Sequence, residues 1–360
     1  MSLLITAEQR MLQDALEQLL SRHDPVTTEE AAERLWRQLS DELGVTGLCV
    51  PEEFGGAGGT FTDLAAVMEA MGRTLYSGPY LSSAVLAVHA LLLSEDTAAQ
   101  RAHLPDLARG HRLGSVIAPD LCSVDGRISV QAEGDRALLT GSASSVLDGV
   151  AADLLIVVAE MGDELSLFTV DASATGMTRV PLTSLDLRRG TAEVTFDGTP
   201  ARQVGPPGAA AEIMPRLLRI ASLAIAAEQA GGADRCLADA GEYAKVRYQF
   251  GRPIGSFQAV KHTCADMYQQ VRSGHVAVRH AARCLDTGSP ESAIAAAMAK
   301  AYCTEAYIAC AAANLQIHGG MGFTWEENCH LHYRRARASA MWAGTPSRHR
   351  QWLADQLLTG

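Results

Sequence analysis

The sequence predicts an α+β fold in which a helical region, a β region and a second helical region follow one another. Ala and Leu are abundant in the 360 residues and only 5% are aromatic, a composition that favours helices. Apolar residues recur with helical spacing at both ends of the chain, whereas the middle shows short β-rich runs between turns. We therefore expect an N-terminal helical domain (1–112), a middle antiparallel β domain (113–207) and a C-terminal helical bundle (208–360).

The first region opens with Thr6 followed three residues later by Gln9, the pattern of a capping box at the start of a helix to Leu20. Further helices are predicted at Ala31–Leu43 and Thr62–Leu75, on either side of a Gly-rich loop, Val50–Gly59.

The middle region contains β-branched or alternating runs that Gly and Asp separate, which is typical of a small β domain. The predicted strands are Gly114–Ala118, Arg127–Glu133, Ala137–Gly141, Leu154–Ala159, Leu165–Val170, Thr178–Val180 and Ala192–Phe196.

The last region is Ala-rich and periodic, as in long antiparallel helices that pack as a bundle. The predicted helices are Ala209–Val246, Ser256–Thr287, Ser289–His318, Tyr333–Ala338 and Pro346–Leu358.

Composition restricts the possible functions. A formal charge of −11 argues against a general nucleic-acid binder, which needs a basic surface. The N-terminus has no basic stretch of a signal peptide and no apolar run reaches the length of a membrane span, so we expect a cytoplasmic protein. None of the eight cysteines forms a Cys-x-x-Cys pair, so we expect reduced thiols and no metal site.

Two Gly-rich breaks between the C-terminal helices are the most informative segments. They are Arg247–Gln258, which reads RYQFGRPIGSFQ, and Gln316–Phe323, which reads QIHGGMGF. A loop that interrupts helices and carries Arg, Gln, Gly and aromatics can offer backbone and side chain to a ligand together. These breaks are therefore the predicted ligand-contacting segments.

In this order and spacing, the two segments resemble the flavin-contacting segments of the acyl-CoA dehydrogenase family. Pro51–Gly56 resembles that family's early Pro-Glu-x-x-Gly-Gly loop, and Glu69–Arg73 resembles the helix that follows. The resemblance covers essentially the whole chain and implies FAD, an acyl-CoA substrate and α,β-dehydrogenation of the thioester. In that reaction a base removes the α proton while the β hydrogen leaves as hydride to the flavin.

The resemblance also assigns cofactor-binding roles. Arg247 would bind the FAD pyrophosphate through its guanidinium fork, Phe250 would pack near the rings, and Gln258 would hydrogen-bond the cofactor. The second segment would approach the adenosine-pyrophosphate of a neighbouring subunit through Gln316, Gly319 and Gly320. Because FAD lies across a subunit interface in this family, the resemblance implies an oligomer.

This chain departs from the family pattern at both positions where the catalytic glutamate can stand. The Glu-Gly-Thr segment reads Ala343-Gly344-Thr345 here, and the alternative position, 26 residues before Arg247, is Ala221. A methyl group cannot accept a proton. Two flavin-pocket segments also depart, because Ala118–Ser123 replaces a Thr-Glu-Pro…Gly-Ser-Asp stretch and Ser145–Leu147 replaces Trp-Ile-Thr.

Glu228 is a weak candidate for a relocated base. It lies seven residues after Ala221 on the same predicted helix, about 10 Å along the axis, which is too far for a direct replacement. The alternative is a buried carboxylate paired at a helix contact. His262, Asp266 and His318 are weaker candidates still.

The chain resembles the glutamate-lacking subunit of heteromeric bacterial acyl-CoA dehydrogenases. That resemblance implies a paralogous partner in an α2β2-like assembly, a thioester that is possibly steroid-derived, and electron-transferring flavoprotein as an acceptor. Two alternatives stay open: a self-sufficient acyl-CoA or acyl-carrier dehydrogenase with a relocated base, and a non-catalytic scaffold subunit.

Overall fold

A computed structural model of the chain describes residues 5–22, 29–133 and 136–359. In the described part, the first region is helical as expected. Its α-helices are α1 (Ala7–Leu20), α2 (Glu29–Arg37), α3 (Phe61–Arg73), α4 (Val88–Leu93) and α5 (Thr97–Ala108).

The capping box at the start of α1 is confirmed. The Thr6 hydroxyl accepts from the backbone N–H of Gln9, and the Gln9 side chain accepts from the backbone N–H of Thr6. The same reciprocal pair recurs at α3 between Thr60 and Asp63. Each pair satisfies backbone donors that a helix start leaves without partners.

The predicted helix Ala31–Leu43 needs a correction, because α2 ends at Arg37 and passes into a wider π-helical turn, Gln38–Glu42. Gly44, with φ of +63°, then ends the segment in a conformation that glycine adopts without strain. A second π-helical stretch, Tyr80–Ala87, leads into α4 and was not predicted as such.

Seven strands of the described residues form one sheet in the middle region. They are β1 (Gly114–Ile117), β2 (Ser123–Glu133), β3 (Arg136–Leu147), β4 (Leu154–Met161), β5 (Glu164–Asp171), β6 (Met177–Leu182) and β7 (Thr191–Val204). Their order is β1-β4-β2-β3-β7-β5, and β6 pairs with β7.

The expectation of an antiparallel sheet holds for most strand pairs but is wrong for β1, which runs parallel to β4 from Gly114 opposite Leu154. β2 also meets β4 in parallel at one register point. The first six residues of β4 are buried, as expected of a strand covered on both faces. The continuous apolar run Leu154–Ala159 was therefore the sequence signal for a strand inside the sheet.

The last region contains five α-helices in the described residues. They are α6 (Ala210–Val246), α7 (Gln258–Asp286), α8 (Ser292–His318), α9 (Cys329–Ser339) and α10 (Pro346–Thr359). A two-residue hairpin, β8 (Tyr248–Gln249) with β9 (Arg252–Pro253), separates α6 from α7. The prediction Tyr333–Ala338 was too short, because α9 begins at Cys329.

α6 is the central helix of the molecule, and residues Ile220–Ala233 are all buried. It crosses α3 at a distance that only glycine permits. A Cβ on Gly72 would collide with the backbone of Glu228, and a Cβ on Gly231 would collide with the backbone of Glu69. This reciprocal contact holds the first region against the last.

The change from helix to sheet falls between α5 and β1, and the change back falls between β7 and α6. We propose domain limits of 1–112, 113–207 and 208–360 on that basis. No helix of the described residues has the length and apolarity that crossing a membrane requires.

Candidate active site

Both family base positions lie inside the molecule. Ala221 is fully buried on α6, and Ala343 is 4% exposed in the turn between α9 and α10. The backbone N–H of Ala343 donates to the carbonyl oxygen of Asp120 at 3.0 Å, which attaches this turn to the loop after β1. Each position therefore presents a methyl group to its surroundings.

A cavity of about 360 Å³ lies beside Ala343. α6, α8 and α10 line it with apolar side chains, including Leu218, Ala296, Ala297 and Trp352. Asp120, Arg219, Ser222, Arg348 and His349 supply the polar part of the wall. Asp120 is the carboxylate among these lining residues.

Two of the polar lining groups are already engaged. Arg348 donates to both carboxylate oxygens of Asp120. His349 Nε2 lies 2.7 Å from the carbonyl oxygen of Ala343. Because a carbonyl only accepts, Nε2 carries the hydrogen. Burial lowers the pKa of His349, so its imidazole is neutral at pH 7 and keeps a lone pair on Nδ1.

A buried ion-pair cluster lies near the turn that carries Ala343. We call its members, Asp186, Arg189, Glu228 and Arg335, the arginine cluster. Glu228 Oε1 accepts from Arg189 at 2.7 Å and from Arg335 at 2.8 Å. Arg335 also donates to Asp186. These side chains are 9% exposed or less, so the pairs are shielded from water.

The arginine cluster joins three parts of the chain. Asp186 and Arg189 come from the loop between β6 and β7, whereas Glu228 is on α6 and Arg335 on α9. Arg335 also donates to the backbone carbonyl of Tyr76 at 3.0 Å, after α3.

The cluster also abuts the turn that carries Ala343. The Arg189 guanidinium lies 4.8 Å from the ring centroid of Trp342, a cation–π contact. Burial would raise the pKa of Glu228, but Arg189 and Arg335 outweigh it and lower that pKa. A carboxylate held as an anion by two guanidinium groups is a weak proton acceptor. We therefore predict that Glu228 does not serve as the base.

Asp148 is a half-buried acid that the sequence analysis missed. It follows β3 and accepts from the Ser82 hydroxyl at 2.6 Å. Burial raises its pKa, against the opposing effects of Ser82, Arg189 and Arg335. The predicted strand ended at Gly141, seven residues before Asp148, so the sequence did not indicate that this residue directly follows a strand.

The first flavin-resembling segment lies on the surface at the end of α6. Arg247, Phe250 and Gln258 are all exposed, and Phe250 is 89% exposed with φ of +54°. Gln258 lies 3.4 Å from His262, which is also exposed. Arg247 forms no ion pair within the described residues.

The second segment lies at the end of α8. Gln316, Gly319 and Gly320 are exposed, whereas His318 is buried. A Cβ on Gly319 or Gly320 would meet no atom within 4 Å. Packing therefore does not require glycine at either position, whereas the φ of +60° at Gly319 favours glycine there.

The two segments lie at the same end of the bundle. The ring of Tyr243, one helical turn before Arg247, stacks on His318 with centroids 4.0 Å apart. The structure thus brings the two predicted segments, which are distant in sequence, to the same part of the molecule. Asp266 is exposed on α7 and does not line the cavity beside Ala343.

The outer segments fit the phosphate and adenosine part of FAD. An exposed arginine without an ion pair in the described residues, together with glycines facing open space, can receive an anionic group and a close backbone contact. The segments that depart from the family's flavin-pocket pattern do not favour a flavin ring within this chain. Val146 and Leu147 are buried in the chain's own cores, and Trp342 packs on the arginine cluster.

Fold and site together define a class: helical, β and helical regions in series, with Gly-rich segments at the ends of the C-terminal helices. The family models for the N-terminal and C-terminal domains of acyl-CoA dehydrogenases match residues 6–111 and 212–358. The chain belongs to the acyl-CoA dehydrogenase family, whose members generally bind FAD and oxidise acyl-CoA thioesters.

Similar proteins include the acyl-CoA dehydrogenase IpdE2 of Mycobacterium tuberculosis, which is 34% identical over 94% of both chains. Among solved structures, a variant of the Tcur3481–Tcur3483 steroid ACAD aligns with a TM-score of 0.86 and 30% identity over 98% of both chains. A chain of the ChsE4–ChsE5 complex from Mycobacterium tuberculosis aligns with a TM-score of 0.91 and 26% identity over 100% of both.

Proposed function

We propose that this chain is the glutamate-lacking subunit of a heteromeric, FAD-dependent acyl-CoA dehydrogenase, and that a paralogous partner supplies the catalytic base. The observation that carries the proposal is the pair of buried alanines, Ala221 and Ala343, at both family base positions. Neither methyl group can remove an α proton. The chemistry therefore requires a base from elsewhere, and a partner of the same family is the simplest source.

Two of the similar structures support a heteromer. One is described as the ChsE4–ChsE5 complex, and the other is named for two components and called a steroid ACAD. By this likeness we propose an α2β2-like assembly and a CoA thioester of a steroid as the substrate class. Electron-transferring flavoprotein is the electron acceptor that we propose from the family.

In such an assembly this chain's role is binding and orientation. Bound FAD would accept the β hydrogen of the thioester as hydride. Arg247 would hold the pyrophosphate by charge-assisted hydrogen bonds, and Gln258 and Gln316 would orient the cofactor. Gly319 and Gly320 would admit phosphate oxygens close to the backbone. Because all these groups are exposed here, we place the flavin ring in a pocket that the partner completes.

The exposed aromatic side chains near these segments support an interface at the same place. Tyr248, Phe250, Phe323 and Trp325 are each at least 61% exposed, and we call these four the aromatic surface. Large exposed apolar side chains close together commonly mark a surface that another protein covers. The proposed cofactor segments and the proposed partner contact thus coincide.

The test is co-expression with a longer paralogue that carries the glutamate, followed by purification through a tag on this chain. We expect one stable heteromer that contains FAD and dehydrogenates acyl-CoA with an artificial acceptor. Replacing the partner's glutamate with glutamine should abolish turnover while FAD and assembly remain. A partner that fails to bind this chain under native conditions would contradict the proposal.

One observation favours a second candidate, a self-sufficient dehydrogenase. The cavity beside Ala343 contains the Asp120 carboxylate and the His349 imidazole, either of which could accept a proton after a local rearrangement. Purification of this chain alone distinguishes the candidates. Turnover without a partner, lost in Asp120→Asn or His349→Gln, would establish the second candidate. A heteromer that needs this chain for stability but binds no FAD at Arg247 would instead indicate a scaffold.

A further inference from the structure

Three possible metal ligands come together where the chain turns from α8 to α9. They are His318, Glu327 and Cys329, and their ligand atoms all lie within 4.8 Å of one another. His318 and Cys329 are buried, and Glu327 is half-buried. An imidazole nitrogen, a carboxylate oxygen and a thiolate sulfur are the three ligand types that Zn²⁺ uses in proteins.

The His318 ring is held in a fixed orientation. Its Nδ1 lies 3.0 Å from the backbone carbonyl oxygen of Asn314, so Nδ1 carries the hydrogen and Nε2 keeps its lone pair. Tyr243 stacks on one face of the ring. A hydrogen bond from the other ring nitrogen to a backbone carbonyl is how metal-binding histidines are usually oriented.

A second observation concerns the Asn314 side chain. It is fully buried, and within the described residues its Oδ1 has no hydrogen-bond partner. The Asn314 side chain lies in hydrogen-bonding contact with the Cys329 thiol. A buried amide oxygen without a hydrogen bond is unfavourable, because it has lost its contact with water. A cation at the cluster would give Oδ1 a partner, either directly or through a bound water.

The electrostatic surroundings suit a cation. The carboxylates of Asp239 and Glu327 lie close to the Cys329 thiol. The same two carboxylates provide negative potential for a divalent ion, although Arg235 pairs with Asp239 nearby.

We propose that His318, Glu327 and Cys329 form a binding site for a thiophilic divalent cation, with Zn²⁺ the best match, that links the end of α8 to the start of α9. The proposal is independent of the proposed dehydrogenase role. It departs from the expectation of no metal site, because these ligands become neighbours only when the chain reverses after Gly319–Phe323. A bound ion would hold that turn, which carries the second flavin-resembling segment.

A second cluster provides a matched control. His280, Cys284 and Glu291 also lie within 4.8 Å of one another, but His280 and Glu291 are exposed. The nearest ring nitrogen of His280 is already 3.8 Å from the Cys284 sulfur. Both clusters contain one His, one Cys and one Glu. Variants of the two clusters therefore separate an effect of the proposed site from an effect of residue type alone.

The experiment titrates Zn²⁺ into chelator-treated full chain in competition with a chromophoric chelator. We expect one equivalent to be lost, or its affinity to fall at least tenfold, in Cys329→Ser and in His318→Gln, but not in Cys284→Ser. Co²⁺ in place of Zn²⁺ should give a thiolate-to-cobalt charge-transfer band that disappears in Cys329→Ser. Binding should release protons at pH 7.

Glu327→Gln covers the case in which the buried variants fold poorly, because Glu327 is only half-buried. It should weaken Zn²⁺ binding at least tenfold with an unchanged circular dichroism spectrum. Absence of Zn²⁺ binding, or loss of binding in Cys284→Ser with retention in Cys329→Ser and Glu327→Gln, would overturn the proposal.

Discussion

Arg189 Nη2 donates to Glu228 Oε1 at 2.7 Å, and this hydrogen bond joins the loop between β6 and β7 to the middle of α6. Both side chains are buried, so each charge depends on the other for compensation. Arg335 shares the same oxygen from the opposite side. Glu228 is thus one point at which the β region is attached to the central helix.

Glu228→Gln should destabilise the chain by about 3 kcal/mol, because it removes a negative charge that compensates two buried guanidinium groups. Urea unfolding followed by circular dichroism measures the change. Glu212→Gln, on the exposed first turn of the same helix, is the control and should change stability by less than about 0.5 kcal/mol. Equal effects of the two variants would contradict the structural role.

Glu228→Gln should also leave dehydrogenation largely intact in the assembled heteromer. The carboxylate is occupied by Arg189 and Arg335, and the proposed base belongs to the partner. Turnover per bound FAD, measured at a temperature where the variant is folded, checks this. Loss of the chemical step with folding and FAD retained would make Glu228 the base.

The arginine cluster should make stability depend on acidic pH. Burial raises the pKa of Asp186 and Glu228, but the arginines outweigh it and both pKa values are lowered. An acid whose folded pKa lies below its unfolded value stabilises the fold fully above the unfolded pKa, near 4. That contribution is lost as the pH falls through the lower, folded pKa.

We therefore expect the free energy of unfolding to fall more steeply below pH 4 in the unmodified chain than in Glu228→Gln. Urea midpoints from pH 6 to pH 3 provide the comparison. Parallel curves for the two proteins would show that the carboxylate titrates normally.

Lys300→Met should stabilise the chain by about 1–3 kcal/mol at pH 7. Lys300 is fully buried on α8, and within the described residues its hydrogen bond goes to Thr304 at 2.9 Å. Burial lowers its pKa to about 8, below the unfolded value of about 10.4. The unfolded chain thus binds more protons between these values, and stability rises with pH there.

The substitution should remove that rise, which thermal or urea unfolding from pH 7 to pH 10 will detect. Lys245→Met, at an exposed position near the end of α6, is the control and should leave the pH dependence unchanged. A Lys300→Met variant less stable than the unmodified chain at pH 7 would rule out an unfavourable buried charge.

Gly231→Ala should destabilise the chain by about 3 kcal/mol or more, because its methyl group would push α6 away from the backbone of α3. Gly241→Ala, ten residues further along the same helix, is the matched control. A Cβ there meets nothing within 4 Å, and replacing a helical glycine should stabilise by up to about 1 kcal/mol. Urea unfolding should therefore give changes of opposite sign.

Arg247→Ala should reduce FAD occupancy of the heteromer at least tenfold at limiting FAD, through loss of a charge-assisted contact. Arg216→Ala provides the control, since Arg216 is exposed near the other end of α6 and its nearest carboxylate, on Glu95, is 3.9 Å away. Flavin absorbance per protein after desalting measures occupancy. Equal retention in both variants would exclude Arg247 from the cofactor site.

The sequence predicted most helices and strands because their signals are local. The Thr6–Gln9 capping box and the apolar run Leu154–Ala159 each depend on neighbouring residues alone. The parallel pairing of β1 with β4 was missed because it depends on which strands meet in space. The π-helical turn after Arg37 was missed because no residue pattern marks a widened turn.

The arginine cluster was missed for a similar reason. Asp186 and Arg189 lie in a charged loop, which by itself indicates a solvated turn, and Arg335 lies in a basic helix. Their burial arises only when the loop between β6 and β7 folds onto α6 and α9. Glu228 was recognised as a possible paired carboxylate, but its partners are 39 and 107 residues away.

The aromatic surface has a consequence for how a cell can use this chain. Phe250 and Trp325 are mostly exposed in the isolated chain, so their apolar rings are open to contact with any other protein that is present. Synthesis in excess of the proposed partner would therefore favour aggregation. Coupled, stoichiometric production of the two chains is the arrangement that keeps this surface covered from the moment it forms.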